Sequence, residues 1–103
     1  MASQPYPQTN VQWERHIRAV AQKSANVVIT DHVQVRMVGR NVLISEVFDC
    51  LRHGSIVRPP RKHPETGNLV CRMEFLANGR VLTVAVDVEG HYPQMVVTVT
   101  VIV

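Results

Sequence analysis

Apolar residues along this chain change their spacing once, near residue 54. Before that point they recur every three or four positions. Trp13, Ile17, Val20 and Ala21 lie on one side of a helix predicted from about Gln12 to Lys23. Residues 1–10 are polar, carry Pro5 and Pro7, and read as a loose arm, leaving 11–103 as a single domain. The β-branched run Val27 to Thr30 is either a short strand or an extended lead-in. Thr30-Asp31 offers an N-cap to a second helix, His32 to Val38, with Val33 and Met37 inward and Gly39 as its stop. Ser45 is the candidate cap of a third helix. Val47, Phe48, Cys50 and Leu51 give it an apolar side, Arg52 and His53 suit its C-terminal end, and Gly54 stands at C′.

After Gly54 the period is two. A strand starting at Ser55 meets Pro59-Pro60, which marks an edge strand or a bulge because proline has no N–H for a ladder. A turn at 64–68 precedes Leu69, Cys71, Met73 and Phe75, which alternate with Val70, Arg72, Glu74 and Leu76. Asn78-Gly79 is a strong hairpin signal. Leu82, Val84, Val86 and Val88 line one side of the return strand, a turn is expected over Glu89 to Pro93, and a last strand runs from Met95 to Val103. The predicted plan is α+β: N-terminal helices packed on a three- to four-stranded antiparallel meander. The uncovered sheet face would carry Arg72, Glu74, Thr83, Asp87, Thr98 and Thr100.

Composition sharpens this picture in three ways. Val fills 20 of the 103 positions and aromatics only 5%, which favours sheet and argues against a base-stacking platform. No apolar run approaches the roughly 18–20 residues of a membrane-spanning helix, and the N-terminus lacks the pattern of a secretory signal. Cys50 and Cys71 stand in no CxxC pair, and five histidines show no metal-ligand spacing. The expectation is a cytoplasmic protein with two reduced core thiols and no metal or cofactor. Net charge is only +3, but nine of the eleven basic side chains are Arg, whose planar fork suits phosphate or carboxylate. Arg52 to His63 holds Arg52, His53, Arg58, Arg61, Lys62 and His63, with no acid between Asp49 and Glu65. Such a loop can grip a nucleic-acid backbone, dock an acidic protein, or be exposed and basic without a partner.

The run Thr30-Asp31-His32-Val33-Gln34-Val35-Arg36-Met37 has the form H-x-x-x-R-M. A Ser-Glu helix follows, ending Leu51-Arg52-His53-Gly54-Ser55-Ile56-Val57, then a Gly-Arg turn and an Ala-Val-Asp strand end. Over about Trp13 to Val103 this order resembles the bacterial DUF4258-type family, which has been grouped by fold with RelE- and barnase-like toxin ribonucleases. The resemblance implies a RelE/barnase-like fold and an RNA-targeting, toxin-like domain. Its activity would be that of a metal-independent endoribonuclease or an RNA-binding protein, with an antitoxin as protein partner. His32 and Arg36 fit the opening motif, and Arg72 sits where a basic residue on the middle strand would face the site. These three are the expected catalytic residues, with Arg40, Arg58, Arg61, Lys62 and His63 expected on RNA phosphates. Two positions depart from the pattern: Thr83 where many relatives carry His, and Ile102 where the last strand often carries Tyr.

His32 and Arg36 also share one helical face by their i, i+4 spacing alone, and imidazole and guanidinium suit proton transfer and phosphate charge. A capping or packing His beside a solvated Arg has the same spacing. Two other functions fit the residues. The helices around Gly39 can be read as a helix-turn-helix with the hairpin as a wing, although Glu46 and Asp49 would oppose groove entry. A protein-interaction module is the other, with the Val-Thr-Val-Thr-Val-Ile-Val end as a pairing edge for a homodimer if it lies outermost.

Overall fold

The computed structural model describes residues 9–65, 67–77, 79–91 and 94–102. Expectations that fall on residues 1–8, Thr66, Asn78, Tyr92, Pro93 and Val103 lie outside them. Helix α1 spans Asn10–Ala21, two residues earlier than the apolar pattern suggests. Its start is set by a capping box rather than by hydrophobicity. The Thr9 hydroxyl accepts the Gln12 N–H at 3.1 Å, and Gln12 Oε1 accepts the Thr9 N–H at 3.2 Å. Thr9 and Asn10 therefore belong to the domain and not to the arm.

A 3₁₀ turn at Ser24–Asn26 leads to strand β1, Val27–Val28, and to helix α2, Asp31–Gly39, capped by the Thr30 hydroxyl on Val33 N–H. Gly39 is inside α2 and does not stop it. The chain turns at Asn41, at φ 57°, a left-handed conformation that Asn tolerates better than most residues. Helix α3 spans Ile44–His53. Ser45 lies within it, and Glu46 folds back to accept the Leu43 N–H at 2.9 Å. Gly54 follows in extended conformation, not left-handed: its small size matters, because a Cβ would press on the carbonyls of Cys50 and, at 2.7 Å, Glu74.

Strands β2 (Ser55–Lys62), β3 (Leu69–Ala77), β4 (Arg80–His91) and β5 (Gln94–Val101) form the expected antiparallel meander. Glu89 to His91 continue β4, so they are ladder rather than turn. β1 joins as a fifth strand, parallel to β5, and the sheet order is β1-β5-β4-β3-β2. Among the described residues β1 covers the C-terminal strand only at Val97 and Thr98, so the rest of β5 has no strand beside it on that side. The outer strands are β1, two residues long, and β2, which carries the prolines; both are poor templates for pairing with another chain.

All three helices cover one sheet face. Cys71, Met73, Leu82, Val84, Val86, Val99 and Val101 point into it, against Trp13, Ile17, Val33, Met37, Val47 and Leu51. The chain is therefore α+β, as the change of period implies. Three long-range bonds tie α1 to the start of β2 and the end of α3. Arg18 Nη2 donates to Gly54 O at 2.8 Å, the Ile56 N–H to Glu14 Oε1 at 2.7 Å, and Arg52 Nε to Ala21 O at 2.9 Å. These hold the root of the edge strand.

Candidate functional site

The opposite sheet face carries the charge. In a regular strand Ile56 and Arg58 would share a side, because side chains alternate with a period of two. Strand β2 breaks that rule twice. Ile56 pairs with Met73 on the core side, yet Arg58 pairs with Arg72 on the open side, with Val57 as the extra residue. A second shift lies between Arg58, opposite Arg72, and Arg61, opposite Val70. Arg72 and Val70 are on one face of β3, so Arg58 and Arg61 join it, although three residues apart. Bulges re-aim side chains in this way, and the two prolines sit where the second interrupts the ladder.

The result is a shallow concavity of about 220 Å³ at the β2–β3 edge, lined by Arg58, Arg61, Lys62, His63 and Arg72 with Pro64, Val70 and Cys71. No acid lines it. None of its four permanent cations holds an ion pair among the described residues. His63 is anchored at its rim. Its N–H donates to Asn68 O at 2.8 Å, and its Nδ1 accepts the Glu65 N–H at 3.2 Å. With Nδ1 so engaged, the neutral ring carries its proton on Nε2 and offers it as a donor.

Five of the eight expected site residues are therefore brought together, and three are not. His32 and Arg36 are exposed on α2, which packs on β5 within the helical layer. Arg72 points from β3 to the other side of the sheet, so the expected trio of His32, Arg36 and Arg72 does not form one site. Arg40 also stands apart. Its guanidinium donates to Ile102 O at 3.3 Å, and its own carbonyl accepts from Arg80 at 3.1 Å. Arg80 further donates to Asn41 O and reaches the buried Glu46 carboxylate at 3.5 Å, closing the α2–α3 turn onto β4.

Asp87 is the residue next to this site that motif reading passes over. It lies on β4 opposite Val70 and Thr98, in the same row as Arg61. Burial first, then the Glu89 charge, push its carboxyl above the ordinary range, while the Asn68 side-chain bond and nearby His63 pull it back. Its place on the polar side of an alternating strand was visible, but its neighbours were not. Both thiols lie in the core, pushed up to about 12 chiefly by burial.

Among the described residues no three His, Cys, Asp or Glu side chains converge as a metal site requires. No helix there is long and apolar enough to cross a membrane. A family model described as Domain of unknown function (DUF4258) matches residues 29–101, from just after β1 through β5. No curated protein and no solved structure matches the chain.

Proposed function

The chain belongs to the DUF4258 family, and we propose that it is an RNA-targeting domain that grips the phosphate backbone in the concavity at the β2–β3 edge. The observation that carries this reading is the convergence of Arg58, Arg61, Lys62 and Arg72 with His63 in one acid-free hollow. Guanidinium forks meet phosphate oxygens with paired hydrogen bonds, and the His63 Nε2–H adds a neutral donor. Of cleavage and binding, the geometry favours binding. The residues assigned to catalysis by motif are split between two layers, and the His63 tautomer presents a donor rather than a free base.

Phosphate binding by cations releases counterions, with a log–log salt slope of about −0.7 per contact for single strands. Four contacts give a slope of about −2.8, or about 50-fold weaker binding at 200 mM than at 50 mM salt. Arg58→Ala/Arg61→Ala should halve the slope and reduce that loss to about 7-fold. A labelled single-stranded RNA in fluorescence anisotropy reads both, and a denaturing gel should show the RNA intact. An unchanged slope in the double variant refutes the assignment, and cut RNA restores the nuclease reading.

A protein partner is a second reading with its own observation. Val35, Val38, Leu43 and Ile44 are 72%, 83%, 60% and 50% exposed on α2 and the start of α3, beside an apolar groove that Met37 and Val42 also line. An antitoxin-like protein or a second copy would cover such a patch. Sedimentation of the purified chain distinguishes self-association from a monomer that awaits a partner.

A further inference from the structure

The charge on the open face changes sign along one line, between β3 and β4. On the β2–β3 side stand Arg58, Arg61 and Arg72. On the β4–β5 side stand Asp87 and, two residues on, Glu89, whose Oε2 accepts the Thr98 hydroxyl at 3.3 Å. No Lys or Arg follows Arg80 in the chain, and Arg80 itself turns to the helical side, onto the carbonyls of Arg40 and Asn41. β4 and β5 therefore give this face acid and no permanent cation.

The basic strip is bounded at its ends as well. Glu74, exposed, follows Arg72 on the same face of β3, opposite Thr83. Glu65, also exposed, stands in the turn beyond His63. Between them the strip runs from the level of Arg72 to that of Asn68, whose carbonyl accepts the His63 N–H. That is about 13 Å at the rise of a strand. Its width is the β2–β3 spacing, about 4.8 Å. Acids thus fence a narrow strip on three sides, and the fourth side is the outer edge of the sheet.

We infer that this face takes a single nucleic-acid strand laid along β3 and rejects a duplex, with Asp87 and Glu89 as the residues that enforce the choice. The inference rests on the phosphate-grip reading above. In a duplex a second backbone is held across a groove, about 6–12 Å away in B-form and across a wide minor groove in A-form. β4 and β5 lie about 5 and 10 Å from β3, so that second backbone comes over the two acids. A single strand places only its neutral bases there. Turned the other way, the second backbone of a duplex hangs beyond the edge strand and gains no cation. Like charges set against the wrong ligand are a means of selection that needs no contact with the right one. Counterion release alone would favour the duplex, whose log–log slope is about −0.9 per contact against about −0.7 for a single strand. A preference for the single strand is therefore the signature of the acids and not of the cations.

The test uses one labelled RNA without self-complementarity, alone and annealed to its complement, titrated with the full chain at one low salt concentration. The wild-type chain should bind the single strand about 2- to 30-fold more tightly than the duplex, the range for two partly exposed charge contacts. Asp87→Asn/Glu89→Gln, which keeps both side-chain shapes, should strengthen duplex binding by a similar factor and bring the ratio near one, with the circular dichroism of the fold unchanged. Asp31→Asn/Asp49→Asn removes the same charge from exposed positions on α2 and α3 and should leave the ratio as it was. A wild-type chain that binds the duplex as tightly as the single strand, or more tightly, overturns the inference and leaves the phosphate grip standing. A ratio that survives Asp87→Asn/Glu89→Gln, or that falls equally in the α2–α3 control, also overturns it. Failure of both ligands to bind at low salt overturns the phosphate grip itself and this inference with it.

Discussion

Gly54→Ala isolates the joint that carries the edge strand. Gly54 sits at φ −75° and ψ 177°, a conformation open to any residue, so the substitution carries no backbone strain. A less flexible unfolded chain would by itself stabilise the variant by about 0.4–1 kcal/mol. The folded state opposes this. A Cβ would press on the Cys50 carbonyl and stand 2.7 Å from Glu74 O. Neither oxygen moves alone: Cys50 O accepts the Gly54 N–H at 2.8 Å, and Glu74 pairs with Ser55 in the ladder. Relief requires the end of α3 to lift from β3, where Cys50 and Leu51 are 0% exposed. Overpacking of this kind costs about 1–3 kcal/mol. A net loss of about 1–2 kcal/mol lowers Tm by about 4–16 °C in a domain of this size. Gly39→Ala is the control. Gly39 is helical, and a Cβ there would meet nothing within 4 Å, so Ala should stabilise by about 0.5–1 kcal/mol. Thermal melts by far-UV circular dichroism give the signs directly. A Gly54→Ala variant that melts at or above the wild-type temperature refutes the close approach.

Three further outcomes follow from the same contacts. Asp87 has a higher proton affinity folded than unfolded, so its contribution favours the fold at low pH and is lost as pH rises through the raised value. Asp87→Asn should match wild type near pH 3 and be the more stable by urea unfolding at pH 7, with the gap opening as pH rises past the unfolded value of 3.8. Arg80→Ala leaves the carbonyls of Arg40 and Asn41 without this donor and removes an ion pair from Glu46, whose side chain is only 7% exposed. It should lose about 1–2 kcal/mol in urea titration, since Arg80 itself is partly solvated. Cys50 and Cys71, buried and pushed up to about 12, should resist a disulfide reagent at pH 8 in the native chain and yield two thiols once unfolded.

The helices and strands β3 and β4 were legible because burial repeats along them: Trp13 and Ile17, Val33 and Met37, Leu82 through Val88 all face where their spacing puts them. The failures are local chemistry or pairing that no spacing encodes. A Thr–Gln capping box began α1 early, Asn41 rather than Gly39 ended α2, and Gly54 was needed for its size rather than its φ. The candidate site fails to appear for a stronger reason. Strict alternation from Ile56 would send Arg58 to the core side, and the prolines announce an irregularity without giving its length. Only the register of two bulges turns Arg58 and Arg61 to the face of Arg72, and only cross-strand pairing sets Asp87 beside them. His32 and Arg36 show the converse: their i, i+4 spacing is real, yet a shared helical face does not say which layer that helix occupies. The fold follows from periods within single segments, whereas the face that meets a ligand depends on how separate segments align. A basic stretch interrupted by prolines is therefore better read by asking which strand it pairs with than by counting its charges.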